Sequence, residues 1–211
     1  MQMNYGHATP EEQVYVQQLE TDVAHKLELS SINSILELGQ LYIEPCHREA
    51  EAMKLFEAVL RREPSNSAAK FWLAYCNAWY LMEYSEAVPL LQEIIVEQAD
   101  ETAAAYVLLA YCKERLEQTT SEEQINLLQT SVELEPNWVN NHAALAWAYR
   151  KEGRLSEAIE QLKEAIENLV EVDSTWSLLH EIYEVQITGR ASTGQFLRME
   201  LEKMTRQITI S

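Results

Sequence analysis

Residues that could perform chemistry are few in this 211-residue chain, and their spacing matches no complete catalytic or metal-binding pattern. Cys46 and His47 form one adjacent pair, whereas a structural zinc site needs four ligands at workable spacing. His180 and Glu181 are not followed by the second histidine of a zinc-protease helix. The glycines of segment 189–194 lack the lysine of a phosphate-binding loop. The sequence therefore predicts no catalytic residues, no metal site and no cofactor, and an enzyme is the least favoured class.

The structural elements are marked by a leucine that is followed by glycine or alanine at nearly equal intervals. The pairs are Leu38-Gly39, Leu73-Ala74, Leu109-Ala110 and Leu145-Ala146, and a further leucine, Leu179, continues the series. The steps are 35, 36, 36 and 34 residues, and a period this constant is typical of stacked repeats. Cys76 and Cys112 are separated by the same period, which indicates that both pack as small buried side chains.

Each pair is followed by a second apolar stripe at helical spacing. In the first unit Ala52 and Phe56 share one helix face, and Pro64 ends that helix. Stripes with the same spacing recur in 87–94 and 158–165. The pattern therefore predicts an all-α fold that is built from helix-turn-helix units.

This arrangement resembles the tetratricopeptide repeat family, whose unit of about 34 residues carries Trp, Leu-Gly and Tyr on its first helix and Ala, Phe, Ala and Pro on its second. The resemblance implies an α-solenoid of about five repeats. The predicted boundaries are 32–66, 67–102, 103–138, 139–172 and 173–207, with 1–31 as an N-terminal tail and helix and 208–211 as a C-terminal tail. The departures from the family pattern are Asn77 and Lys113 in place of tyrosine, Gln124 and Ser131 in place of alanine, and His180 in place of a small residue.

Residues 1–31 are predicted to contain a tail and one amphipathic helix outside the repeats. Thr9-Pro10-Glu11-Glu12 is typical of a helix start, with a hydroxyl cap, a proline in the first turn and acidic residues near the positive end of the helix dipole. An apolar stripe follows at Val16, Leu19, Val23 and Leu27. We expect this helix to cap the repeat stack, and the alternatives are that it lies in the groove or forms a dimer contact.

Aromatic residues recur two positions after the repeat leucine, where Tyr75, Tyr111 and Trp147 stand in the three middle units. In the family the first helices line the inner, concave face, so the resemblance implies an aromatic ladder along a groove. Residues about one helical turn from these rings complete the predicted partner-binding set: Phe71, Trp79, Arg115, Arg150 and Lys151. Large rings bury much area at low entropic cost, and the cations would contact partner carboxylates. The alternative is that the rings pack between repeats or against the terminal helix.

The chain is strongly acidic, with 34 Asp and Glu against 16 Lys and Arg and a net charge of −18. Such a surface repels phosphate backbones and anionic membranes, so we expect no nucleic-acid partner and no membrane partner. It attracts basic proteins, although solubility alone also accounts for the charge. The sequence shows no secretory signal and no apolar run that could span a membrane, and its three cysteines suit a reducing compartment, so a cytoplasmic location is predicted.

Two functions stay open on these observations. The first is a non-enzymatic protein-protein interaction scaffold that binds a protein or peptide segment in a concave groove lined by aromatics. The second is an acidic immunity protein or antitoxin that neutralises a basic toxin, an alternative favoured by the small size and the negative charge. The sequence leaves the identity of the partner and the oligomeric state open.

Overall fold

The computed structural model describes residues 8–24, 30–44, 46–168 and 193–210, and the regular elements within these residues are all helices. They are α1 (Pro10–Ala24), α2 (Ile32–Ile43), α3 (Glu49–Arg62), α4 (Ser67–Trp79), α5 (Tyr84–Glu97), α6 (Thr102–Arg115), α7 (Ser121–Leu134), α8 (Val139–Lys151), α9 (Leu155–Glu167) and α10 (Thr193–Ile210). The all-α repeat fold that the sequence predicts is therefore confirmed. Leu27 and the first helix predicted for the fifth repeat, including Leu179 and His180, lie outside the described residues.

The chain divides into two compact units, Met1–Glu101 (unit 1) and Thr102–Ser211 (unit 2). In unit 1, α2 pairs with α3 and α4 pairs with α5, while α3 packs on α4 and α1 packs on α2. In unit 2, α6 pairs with α7 and α8 pairs with α9, while α7 packs on α8 and α10 packs on α9. Each pair is one helix-turn-helix unit. None of the described helices is long and apolar enough to cross a membrane.

The small residue of each leucine-small pair is buried, and Gly39 shows why it must be small. A Cβ atom built on Gly39 would lie 2.5 Å from Cε1 and 2.7 Å from Cζ of Phe56, the aromatic residue of the following helix. The Phe56 ring is fully buried and stacks on Trp72 at a centroid distance of 6.3 Å. The absence of a side chain at Gly39 therefore allows α2 and α3 to pack closely.

Helix α1 begins as the sequence predicts and buries its apolar stripe. The backbone amide of Glu12 donates to Oγ1 of Thr9 at 3.3 Å, and the Thr9 amide donates to Oε2 of Glu12 at 2.7 Å, which forms a reciprocal capping box. Val16, Leu19 and Val23 are buried. Because α1 packs on α2, this burial shows how the N-terminal helix attaches to the first repeat.

A partly buried polar network adds to this attachment. Oε1 of Glu20 accepts hydrogen bonds from the Tyr42 hydroxyl at 2.8 Å and from the Arg48 guanidinium. The Arg48 guanidinium also lies 4.0 Å from the centroid of the Tyr42 ring. Burial and the hydrogen bond to Glu20 raise the pKa of the Tyr42 hydroxyl, so the phenol stays protonated. The network joins α1 to α2 and to the turn that precedes α3.

The third repeat keeps its packing although polar residues replace the family's alanines. Gln124 is buried and donates from Nε2 to Oε2 of Glu114 at 2.7 Å. Ser131 is fully buried and donates from Oγ to the backbone carbonyl of Ala103 at 2.9 Å. Each substitution thus brings its own hydrogen-bond partner, so neither polar group is buried without compensation.

The described part of the turn within each of the four helix pairs contains one residue in the left-handed backbone conformation. These residues are His47 (φ 51°), Met82 (φ 55°), Glu117 (φ 55°) and Gly153 (φ 75°). Glycine adopts this conformation without a steric penalty, whereas residues with a Cβ atom do so at a cost of about 1 kcal/mol. Three of these four turns therefore hold a residue that is less stable there than glycine would be.

Candidate protein-binding surface

In unit 1 the predicted aromatic residues belong to a cluster on α4. Tyr75 is only 2% exposed and Phe71 is also buried, while Trp79 is half-buried. The Tyr75 ring lies 6.5 Å from the Phe71 ring and 6.2 Å from the Trp79 ring, measured between centroids. Trp72 packs edge-on against Tyr75 at 5.4 Å and also stacks on the core residue Phe56. The rings of Phe71 and Tyr75 therefore extend the core of unit 1, and Trp79 retains exposed area.

In unit 2 the two predicted rings differ in exposure. Tyr111, on α6, is 7% exposed, whereas Trp147, on α8, is half-buried. The Arg150 guanidinium lies 5.7 Å from the centroid of the Trp147 ring, a cation-π distance, and donates to Oε2 of Glu200 on α10 at 2.8 Å. Trp147 is thus a partly exposed ring beside an anchored cation.

Two of the predicted cations of unit 2, Arg150 and Lys151, are paired with acids of the same unit. Nζ of Lys151 forms an ion pair with Oε1 of Glu114 at 2.5 Å. The other carboxylate oxygen of Glu114 accepts a hydrogen bond from Nε2 of Gln124. Lys151 itself is more than half exposed, and Arg115 is exposed at the end of α6. Ion pairs at such exposed positions contribute about 1 kcal/mol or less. Lys151 is thus the accessible member of this pair, whereas the Glu114 side chain is only 26% exposed.

Glu114 and Glu200 complete this surface, and neither acid is in the predicted partner-binding set. Glu114 lies 37 residues before Lys151, close to one repeat period, so the period could have indicated this pair. Glu200 lies 50 residues after Arg150 and follows no period. Its position depends on how α10 packs, which the repeat pattern does not specify.

A buried polar cluster joins the end of α7 to α8. Nδ2 of Asn141 donates to the backbone carbonyls of Ser131 at 3.1 Å and Glu135 at 2.7 Å. Nε2 of His142 lies 2.7 Å from the carbonyl oxygen of Pro136, and its Nδ1 lies 2.8 Å from Oε1 of Gln161. Both ring nitrogens of His142 thus have hydrogen-bond partners within the fold. The cluster provides hydrogen-bond partners for backbone carbonyls near the end of α7, which is a structural role.

The three cysteines are buried as free thiols. Burial raises the pKa of the Cys76 and Cys112 thiols to about 12. Thiols with such pKa values are poor nucleophiles and poor metal ligands near neutral pH. Within the described residues, no group of three or more His, Cys, Asp or Glu side chains is arranged to hold a metal ion.

These thiols predict a loss of stability at alkaline pH. An unfolded cysteine releases its proton near pH 8.5, whereas Cys76 and Cys112 hold theirs to about pH 12, so between these values the folded state binds more protons. The free energy of unfolding is therefore expected to fall as pH rises through this window, by up to about 1.4 kcal/mol per pH unit for each thiol.

Chemical denaturation at pH 8, 10 and 11 measures this slope. Other groups also titrate in this range, so the wild type is compared with Cys76→Ala and Cys112→Ala. Each variant should have a lower free energy of unfolding than the wild type at pH 8. Above pH 8 that free energy should fall less steeply with pH than it does in the wild type. A decline that is equally steep in both variants and the wild type would contradict the assignment to the thiols.

Two tetratricopeptide repeat family models match the chain, at residues 139–168 and at residues 50–78. The first match covers the α8 and α9 pair, and the second covers α3 and most of α4. Together with the helix pairs, these matches show that the chain contains tetratricopeptide repeats. Proteins of this class serve as protein-interaction scaffolds, and this coarse function applies here.

Solved structures of MamA share the fold. A MamA fragment from Desulfovibrio magneticus RS-1, described as residues 41 to the end, is 21% identical, with a TM-score of 0.57 over 78% of this chain and 89% of that one. An RS-1 MamA double mutant is 20% identical, with a TM-score of 0.56 over 74% and 84% of the two chains. Another MamA crystal structure is 18% identical, with a TM-score of 0.56 over 75% and 88%. At these identities the likeness concerns the fold alone. No curated protein matches the chain in a sequence comparison.

Proposed function

We propose that this protein is a non-enzymatic scaffold that holds a segment of a partner protein on the first-helix face of its repeats. The observation that carries the proposal is Trp147, a half-buried ring on a first helix of unit 2 with Arg150 and Lys151 beside it on the same helix. A large ring that is fixed by its surroundings and still partly exposed is typical of an interface anchor.

On this proposal the predicted partner-binding aromatic residues divide into those that contact the partner and those that pack within the protein. In unit 1 Trp79 retains exposed area whereas Phe71 and Tyr75 are buried, and in unit 2 Trp147 retains exposed area whereas Tyr111 is buried. The half-exposed rings would contact a partner, and the buried rings would stabilise the unit to which each belongs. On this proposal the binding surface consists of individual half-exposed rings and not of a continuous row of exposed rings, because the other predicted rings are buried.

The exposed cations of unit 2 suggest the chemistry of the bound segment. Arg115 and Lys151 are exposed, and Lys151 faces the carboxylate of Glu114. A segment that places an apolar side chain on Trp147 and an acidic side chain near Arg115 or Lys151 would satisfy both features. The net negative charge elsewhere favours basic residues in the rest of the partner.

Replacing Trp147 with alanine tests this proposal. Proteins captured from the source lysate by the wild type at low salt are identified by mass spectrometry, and their affinity for each purified variant is then measured. Trp147→Ala should lower the affinity for the captured partner by about 30-fold, which is the effect of removing an interface side chain that contributes about 2 kcal/mol. Far-UV circular dichroism should show that its helical content is retained.

Trp138→Ala is the matched control, because Trp138 has the same side chain and is half-buried in unit 2 but lies at the start of α8. It should leave the affinity within about twofold of the wild type. Unchanged binding by a folded Trp147→Ala protein would refute the proposed surface. If binding also fell steeply with salt, an acidic inhibitor of a basic toxin would explain the result better.

A further inference from the structure

The turn between α4 and α5 exposes two apolar side chains next to each other. Leu81 is 47% exposed and Met82 is 69% exposed. We call these two residues the apolar turn. Neither belongs to the first-helix face around Trp147, so the proposed scaffold function gives them no role.

Met82 is exposed and also lies in a backbone conformation that is unfavourable for methionine. Met82 has a φ of 55°, a conformation in which glycine is more stable than methionine. The corresponding residues of the other three described helix pairs are His47, Glu117 and Gly153, which are polar or lack a side chain. Met82 is thus the one apolar residue at this position among the described pairs. An exposed methionine held in an unfavourable conformation suggests that the side chain is used in recognition.

The surroundings of the apolar turn are acidic. Glu83 follows it directly as the N-terminal cap of α5, but its side chain makes no capping hydrogen bond, and Glu83 and Glu86 are both exposed. The preceding pair of unit 1 also places acids, Glu49 and Glu51, in the first turn of its second helix. Arg48, which directly precedes that second helix, is paired with Glu20 and also with Glu51, so among the described residues the unpaired acids next to the apolar turn are Glu83 and Glu86 of the turn's own helix pair. This end of the helix pairs in unit 1 therefore combines exposed apolar area with negative charge.

We propose that the apolar turn is a second docking site, and that its occupant is a basic amphipathic helix of a partner protein. Leucine-like side chains of that helix would cover Leu81 and Met82, and flanking lysines or arginines would face Glu83 and Glu86. A second copy of this chain is a poor occupant, because a chain with a net charge of −18 repels its own copies.

The test uses a defined probe, a fluorescently labelled 14-residue amphipathic peptide of leucine and lysine, LKKLLKLLKKLLKL. Its affinity is measured by fluorescence anisotropy at 50 mM and 300 mM salt. The wild type is compared with Met82→Gly, which leaves the charge unchanged, and with Glu117→Gly, which changes the equivalent turn of unit 2. Both residues have a φ of 55° and are exposed, so both variants should resist denaturant better than the wild type.

The variants should differ in binding. Met82→Gly is expected to lower the affinity for the peptide at least about fivefold at both salt concentrations, because the methionine side chain that the peptide would cover is removed. Glu117→Gly is expected to change the affinity less than about twofold. Trp147→Ala should bind the peptide like the wild type, so failure of this proposal is distinguishable from failure of the scaffold surface.

Three results would overturn the proposal. Unchanged affinity in Met82→Gly would show that the turn does not contact the helix. Equal weakening by Met82→Gly and Glu117→Gly would show general attraction to the acidic protein. A wild-type dimer in analytical ultracentrifugation that is lost in Met82→Gly would assign the turn to a second copy of the chain.

Discussion

Replacing Tyr75 with alanine is expected to lower the free energy of unfolding by about 3–5 kcal/mol, which is the usual cost of removing a buried aromatic side chain. Tyr75 is 2% exposed, and its ring packs against Phe71, Trp72 and Trp79 with centroid distances of 5.4–6.5 Å. Without this ring a cavity would open between side chains that are locked in one cluster. A loss of this size would leave many domains only marginally stable.

Guanidinium denaturation followed by circular dichroism and tryptophan fluorescence measures the effect. Tyr75→Phe is the matched control, because it keeps the ring and removes only the hydroxyl, and it should cost about 1 kcal/mol or less. Trp147→Ala should also cost less than Tyr75→Ala, since Trp147 is half-buried. If Tyr75→Ala were as stable as Tyr75→Phe, the Tyr75 ring would not be part of the core, and a direct binding role would become the better explanation.

The distinction matters for how the scaffold function is tested. Replacing Tyr75, Tyr111 and Trp147 together would remove two buried rings along with the half-buried one. Loss of binding in that triple variant would then reflect unfolding as much as a lost contact. Single replacement of Trp147, with Trp138→Ala beside it, separates the two effects.

The repeat period predicts most of the fold because it depends on local sequence. Spacing of small and large apolar residues decides which faces of two helices can meet, as Gly39 and Phe56 do. The capping box of α1 is equally local, since Thr9 and Glu12 are three residues apart. Such features can be recognised without knowing what packs on the outside of each pair.

Exposure of the candidate site could not be predicted in the same way. The period shows that Tyr75, Tyr111 and Trp147 hold equivalent positions, but their burial depends on neighbours that differ between repeats. Around Tyr75 the neighbours are other aromatic rings, whereas Trp147 lies beside Arg150. The Arg150 contact to Glu200 further requires the packing of α10 on α9. These are tertiary effects that a repeat pattern does not encode.

Replacing Gly39 with alanine is the second large effect that we expect, because it adds a single atom where none fits. The new Cβ would lie 2.5 Å from Cε1 of Phe56, well inside van der Waals contact. Phe56 cannot move aside easily, since its ring is fully buried and stacks on Trp72. Overpacking of this kind typically costs about 1–3 kcal/mol, and α2 and α3 would have to separate to relieve it.

A double-mutant cycle with Phe56→Leu identifies the cause of that loss. Phe56→Leu alone should destabilise the protein, but in the Gly39→Ala background it should cost less or even stabilise, because the smaller side chain removes the clash. Gly153→Ala is the control for backbone effects: Gly153 has a φ of 75° and nothing within 4 Å of the point where a Cβ atom would lie, so its cost of about 1 kcal/mol should not depend on Phe56. Strictly additive effects of Gly39→Ala and Phe56→Leu would contradict the steric explanation and would place the importance of Gly39 in its backbone instead.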